Sequence, residues 1–175
     1  MTLAEAGQAA IDRRADDAGI VVAFYPEQRA MDTHPPRLVG INHVALEVDD
    51  LAAAVRFWQA VFGEIKIDES ESGMAFIDLG DQFVALADKS GAEEAHFGLV
   101  VDDKERARRA LEAAGAPIAP GPRLNARDPF GNMIQVVQYD QIQFIKSREV
   151  LHALALDLPK HAIALGELRA KGVRL

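Results

Sequence analysis

Between residues 39 and 140 the apolar positions repeat with two periods, that of strands and that of helices. Ile41-Asn42-His43-Val44-Ala45-Leu46-Glu47-Val48 alternates at period two, which suits a half-buried strand. Val44, Leu46 and Val48 face one way, onto a helix, and His43, Ala45 and Glu47 face the other. Asp49 or Asp50 then offers a carboxylate to the free N–H groups of a first helical turn. Leu51, Val55, Trp58 and Phe62 form the apolar stripe of that helix, and Gly63 ends it. Residues 64–68, 74–79 and 83–88 read as three short strands, with Gly73 and Gly80-Asp81 as turns.

The pattern then restarts. Residues 95–101 form a strand, Asp102 or Asp103 caps a helix that runs to Ala114, and Gly115 stops it. Strands follow near 117–118, 123–126 and 133–139, with Gly131-Asn132 turning into the last. The two halves align: His43-Val44-Ala45-Leu46-Glu47-Val48-Asp49-Asp50 matches His96-Phe97-Gly98-Leu99-Val100-Val101-Asp102-Asp103 at a constant offset of 53 residues. His, Leu, Val, Asp and Asp are shared. The period and the order of elements predict a duplicated βαβββ unit, an α+β fold in which two modules form a cupped mixed sheet.

Outside the repeat lie two extensions. Residues 1–38 hold a helix at about 3–17, a short apolar segment at 20–25 and the Pro35-Pro36 stop. Residues 141–175 hold helices at 146–157 and 159–171. Their apolar sets are Val150, Leu151, Leu154 and Leu158, then Ile163, Ala164 and Leu168, and Glu167 pairs with Lys171 at i, i+4. The division is therefore 1–38 as N-terminal extension, 39–140 as paired core and 141–175 as C-terminal helical extension, which covers the core or extends a contact between copies.

The totals narrow the function. The chain has 175 residues, 49% of them hydrophobic and 26% charged, with no cysteine, so thiolate chemistry and disulfides are excluded. A net charge of −8 disfavours nucleic acid and anionic lipid as partners. No apolar run approaches membrane-spanning length and no secretory leader pattern is seen at the start, so a cytoplasmic location is expected.

Asn42-His43-Val44-Ala45-Leu46, Phe57-Trp58, Phe62-Gly63, Ala95-His96-Phe97 and Asp128-Pro129-Phe130-Gly131-Asn132-Met133-Ile134-Gln135 carry a resemblance to the vicinal oxygen chelate superfamily. That superfamily includes glyoxalase I, extradiol dioxygenases, fosfomycin-modifying enzymes and bleomycin-binding proteins. The resemblance covers about residues 39–140 and implies metal ligands on the first and last strand of each module. His43, His96 and Gln135 fall on three such positions, and Ala85, or Val84 if the register slips by one, on the fourth. Gln135 stands where family members often carry Glu. The resemblance thus implies a divalent metal (Fe, Mn, Ni, Zn or Co) on a His-His-Gln site, a small oxygen-chelating substrate, aromatic or not, and a homodimer. A metal-dependent dioxygenase- or lyase-type enzyme fits this set, and the vacant fourth position fits a dioxygenase best. The alternative is a metal-free protein that binds a small molecule or antibiotic, as bleomycin-resistance proteins do, and a third is an inert scaffold.

Around that set, Glu47 shares the face of His43 and is a candidate general base, and Tyr139 shares the face of Gln135 and is a candidate proton donor. Arg123 and Arg127 flank the last strand and are candidates for holding an anionic substrate. Phe83, Ala85 and Ala87 would line one wall, and the two alanines leave room. Trp58 is core. His34, His152 and His161 lie outside the paired core and are read as non-catalytic.

Overall fold

The computed structural model describes residues 34–70, 73–89 and 94–174. The expected helix at 3–17 and the apolar segment at 20–25 lie outside the described residues. Residues 35–175 form one compact unit.

Its elements follow the predicted order: β1 (Leu38–Val48), α1 (Leu51–Phe62), β2 (Ile67–Ser70), β3 (Met74–Asp78), β4 (Phe83–Asp88), β5 (His96–Val101), α2 (Lys104–Ala113), β6 (Leu124–Arg127) and β7 (Met133–Gln138). The strands make one mixed sheet in the order β2-β3-β4-β1-β5-β7-β6. β1 and β5, the first strands of the two modules, pair antiparallel at its centre, and each pairs parallel with the last strand of its own module. A pseudo-twofold axis therefore passes between β1 and β5, which makes the sequence repeat visible as geometry.

Both helices start where a carboxylate caps them. Asp50 Oδ1 accepts from Ala53 N at 2.9 Å and Asp103 Oδ1 from Arg106 N at 2.8 Å, so the second aspartate of each Asp-Asp pair is the cap. Gly63 (φ 72°) and Gly115 (φ 69°) leave the helices in the left-handed region that glycine adopts without strain. One face of the sheet is buried beneath the helices. Leu51, Val55 and Trp58 cover Ala75, Ile77 and Leu86, while Ala107 and Leu111 cover Val101, Leu124 and Val136. Phe62 departs from the expected stripe. It is 58% exposed, touches the Trp58 ring at 5.3 Å between centroids and stays outside the cluster beneath α1.

Three strand boundaries differ from expectation. The first strand after α1 begins at Ile67 rather than 64, because Ile65 N closes a turn onto Gly63 O. The strand at 117–118 is a single bridge between Ile118 and Ala126, since Pro117 has no N–H to give a ladder. Tyr139 is not on β7 but opens a 3₁₀ turn (Tyr139–Gln141).

The C-terminal extension is helical in two shorter pieces, α3 (Arg148–Ala153) and α4 (Ala162–Ala170). Leu154 caps α3 and Ala155 (φ 53°) ends it in the left-handed region, while Pro159 precedes α4. The extension packs on the face opposite α1 and α2. Val39, Val100, Tyr139 and Phe144 form a buried cluster with Leu151, Leu156 and Leu158 against it. Val150 and Ile163, expected to be apolar-face residues, are 42% and 66% exposed, whereas Ala164 and Leu168 are fully buried. The expected Glu167–Lys171 pair does not form. Lys171 Nζ donates instead to Asp78 Oδ1 (3.0 Å) and Gly80 O (3.1 Å), and Glu167 Oε2 accepts from Gln143 Nε2. Just past α4, the Lys171 ammonium meets two acceptors together at the end of β3 and the turn after it.

Candidate functional site

Cross-strand partners in a ladder share a face. The register places Phe83, His43, Gly98, Gln135 and Asn125 in one row across β4, β1, β5, β7 and β6. The next row holds Ala85, Ala45, His96 and Met133, with Arg127 beyond. All of them lie on the concave face, away from α1 and α2. Ala45 and Gly98 are repeat-equivalent, so His43 sits across from Gly98 as His96 sits across from Ala45. The module-one counterpart of Gln135 is Ala85, in the register first expected.

The two histidines meet. His43 Nε2 and His96 Nε2 are 3.1 Å apart, with the rings perpendicular, and the residues are only 6% and 8% exposed. The His43 ring lies flat on Phe83 (4.6 Å between centroids, 9° between planes). Its other side rests on Gly98, where an added Cβ would come within 2.2 Å of Nδ1 and Cε1. Only glycine admits this approach.

The outer nitrogens are also held. His96 Nδ1 lies 2.6 Å from Glu94 O, and a carbonyl only accepts, so His96 carries its proton on Nδ1. Asn42 Nδ2 donates to His43 Nδ1 at 3.0 Å, which places the His43 proton on Nε2, pointing at the lone pair of His96 Nε2. Asn42 reaches this position because β1 is bulged. Ile41 pairs with Leu99 and His43 with Gly98, so Asn42 is the extra residue and turns inward beside His43.

The fit to a metal can be judged from these donors. Two nitrogens each about 2.1 Å from one ion stand about 3.0 Å apart at a right angle and about 3.4 Å at the tetrahedral angle. The 3.1 Å separation falls between these. Gln135 gives Nε2 to Asn125 Oδ1 (3.2 Å), which leaves its Oε1 as the atom suited to a cation. The set is therefore neutral: two imidazoles and an amide oxygen. Among the described residues no group of three His, Cys, Asp or Glu side chains stands ready for an ion.

Phe83 and Ala85 line the concave face beside the pair. Glu47 is exposed, four residues along β1 from His43. Tyr139 is 3% exposed inside the cluster with Phe144, under the Lys160 ammonium 3.4 Å from its ring centre, and is a core residue there. Arg123 is exposed in the loop before β6. Arg127 is committed: Nη2 pairs with the Glu94 carboxylate and Nη1 donates to Gly131 O at 2.8 Å. This pairing holds the Glu94 carboxyl below its ordinary pKa. Arg127 thus anchors the residue whose carbonyl orients His96. Asp128-Pro129-Phe130-Gly131-Asn132 is a structural turn in which Asp128 Oδ1 accepts from Phe130 N and Asn132 N. Three positioning residues were not foreseen. Asn42 was hidden by the bulge and Glu94 acts through its backbone, whereas mid-strand Gly98 carried a usable signal of close approach.

Residues 40–136 match the family described as Glyoxalase/Bleomycin resistance protein/Dioxygenase superfamily. The chain belongs to this superfamily. Similar solved structures of the superfamily fold include an Mn(II)-bound glyoxalase from Novosphingobium aromaticivorans (21% identity, TM-score 0.48), aligned over 59% of this chain and 40% of that one. This chain thus spans less than half the length of that glyoxalase. A Streptomyces coelicolor methylmalonyl-CoA epimerase variant in complex with 2-nitronate-propionyl-CoA is 18% identical (TM-score 0.44; 58% and 98% covered). The Mycobacterium tuberculosis methylmalonyl-CoA epimerase is 17% identical (TM-score 0.44; 58% and 88% covered). No curated protein matches the chain. The superfamily match stops at residue 136, so the C-terminal segments that cover the concave face lie beyond it.

Proposed function

We propose that this superfamily member is a metal-dependent enzyme in which His43, His96 and Gln135 hold a divalent ion and a small molecule with two adjacent oxygens is the substrate. The observation that carries this reading is the convergence of two buried imidazole Nε2 atoms at 3.1 Å, each ring oriented through its Nδ1. Such an ion, when bound, supplies Lewis acidity toward the substrate oxygens. The chain's own part is to orient the donors. His96 already carries its proton on Nδ1. His43 becomes a ligand when its proton resides on Nδ1, which calls for Asn42 to present Oδ1 in place of Nδ2, a half-turn of its amide. The Phe83 ring and the Gly98 backbone hold the imidazole in place meanwhile. Arg127, already paired, does not serve as an anion anchor in this reading.

Metal analysis of protein purified without chelator, followed by titration with Mn(II), Fe(II), Co(II), Ni(II) and Zn(II), tests the proposal. One ion per chain is expected, abolished by His43→Ala or His96→Ala. A stoichiometry that stays near zero with all five ions overturns it. The second reading, a metal-free binding protein, is favoured by the neutral donor set and by Ala85, which provides no ligand. Stabilisation of chelator-treated protein by a flat aromatic compound, with no stabilisation by any metal, would select it.

A further inference from the structure

A cavity of about 430 Å³ opens beside His43 on the module-one half of the concave face, within the size range of small-molecule sites. Its floor is aromatic. Phe76 and Phe83 lie edge to face at 5.7 Å, and Phe83 is the ring that carries His43. Its inner end is Asn42, only 7% exposed. The Asn42 amide nitrogen is used on His43, while its Oδ1 has no hydrogen bond among the described residues. On the cavity wall this oxygen can accept from a donor carried by whatever fills the space.

The charges agree with such a donor. Asp68, Asp78, Asp81 and Glu167 line the cavity against one ammonium, Lys171. Lys171 is spent on Asp78 Oδ1 and Gly80 O, and Lys66, behind the cavity, serves Asp78 at 3.1 Å and Asp68 at 3.3 Å. An anion entering here meets carboxylates and no uncommitted lining cation. A protonated amine or amidine meets exposed Glu167 and Asp68 at the rim, a π floor that favours cations, and the Asn42 acceptor within. Ile142, Gln143 and Glu167, which make the outer wall, lie beyond residues 40–136 matched to the superfamily.

We infer that this cavity is a binding site for a flat aromatic molecule bearing a protonated nitrogen donor, and that the C-terminal extension sets this preference. The ring lies over Phe76 and Phe83 with its donor directed to the Asn42 oxygen, and the Glu167 and Asp68 carboxylates at the rim supply the complementary charge. The inference goes beyond the metal reading and concerns the ion-free chain, in which Asn42 gives Nδ2 to His43 and leaves Oδ1 to the cavity; ion binding as proposed above would turn that amide over.

Calorimetric titration of the full, chelator-treated chain with benzamidine and with benzoate, two probes of the same shape and opposite charge, tests it. Benzamidine is expected to bind one per chain and benzoate at least tenfold more weakly. Glu167→Gln, at an exposed position that leaves folding intact by circular dichroism, should weaken benzamidine threefold or more, and Asp68→Asn should act in the same direction. The inference is overturned if benzamidine does not bind, if benzoate binds as tightly, or if both variants bind benzamidine like the parent. None of these outcomes bears on the metal titration, so failure of one proposal is distinguishable from failure of the other.

Discussion

At the scale of single residues the concave face is governed by what each imidazole touches. The His43 ring fits between Phe83 and the bare backbone of Gly98. Gly98→Ala would force a methyl to within 2.2 Å of Nδ1 and Cε1, so the ring must leave. We expect this variant to lose about 1–3 kcal/mol of stability, as overpacked sites do. Should the metal proposal hold, we also expect at least a tenfold loss of metal affinity, read from Co(II) absorption. Gln135→Glu tests the same proposal in the opposite direction. It adds a negative charge to a neutral donor set, and Mn(II) or Zn(II) should bind at least tenfold more tightly in calorimetry.

At the scale of elements, β1 bears most of the design. It pairs with both modules and carries two bulges, at Val39 and at Asn42, which turn extra side chains toward the concave face. Val39 enters the cluster with Phe144, and Asn42 enters the site. Gly40 allows the C-terminal segment to dock, for a Cβ there would meet the Phe144 ring at 2.6 Å. Phe144→Ala, which empties a fully buried position, should cost about 3–5 kcal/mol in urea unfolding. The helix caps are worth less. Asp103→Ala removes the side-chain acceptor for Arg106 N and should lower stability by about 1 kcal/mol, measured the same way.

At the scale of the whole molecule, the C-terminal extension is part of the core. Lys160 helps to clasp it: Nζ donates to Tyr139 O and to Ile142 O (3.1 Å) and lies over the Tyr139 ring. Burial lowers the pKa of this ammonium from 10.5 to about 8, against the pull of Asp140 and Asp81. Between about pH 8 and 10.5 the unfolded chain therefore holds this proton more tightly than the folded one. Stability from this group rises with pH across that window. Lys160→Met should flatten the rise, seen by comparing denaturant midpoints at pH 7.5 and pH 10 in both proteins. A steeper rise in the variant would contradict the assignment.

The periodicities of residues 39–140 determined the strand and helix order, the caps and the duplicated module, because alternation, Asp-Asp pairs and stop glycines are local signals. The repeat also placed His43 and His96 on equivalent strands, and the Ala85 register followed from counting. Pairing the modules decided the rest. The antiparallel meeting of β1 and β5 brings residues 53 positions apart to 3.1 Å. No local signal marks the bulge that turns Asn42 inward, since it depends on the register of a strand more than 50 residues away. Tyr139 reads as a strand residue from its neighbours and becomes core only when Phe144 folds back over it. Lys171, paired by helical spacing with Glu167, is claimed instead by Asp78, 93 positions earlier. The sequence by itself determined that His43, His96, Gln135 and Ala85 share a face. Only the tertiary structure decided which of them touch, because contact across a sheet depends on the pairing of distant strands.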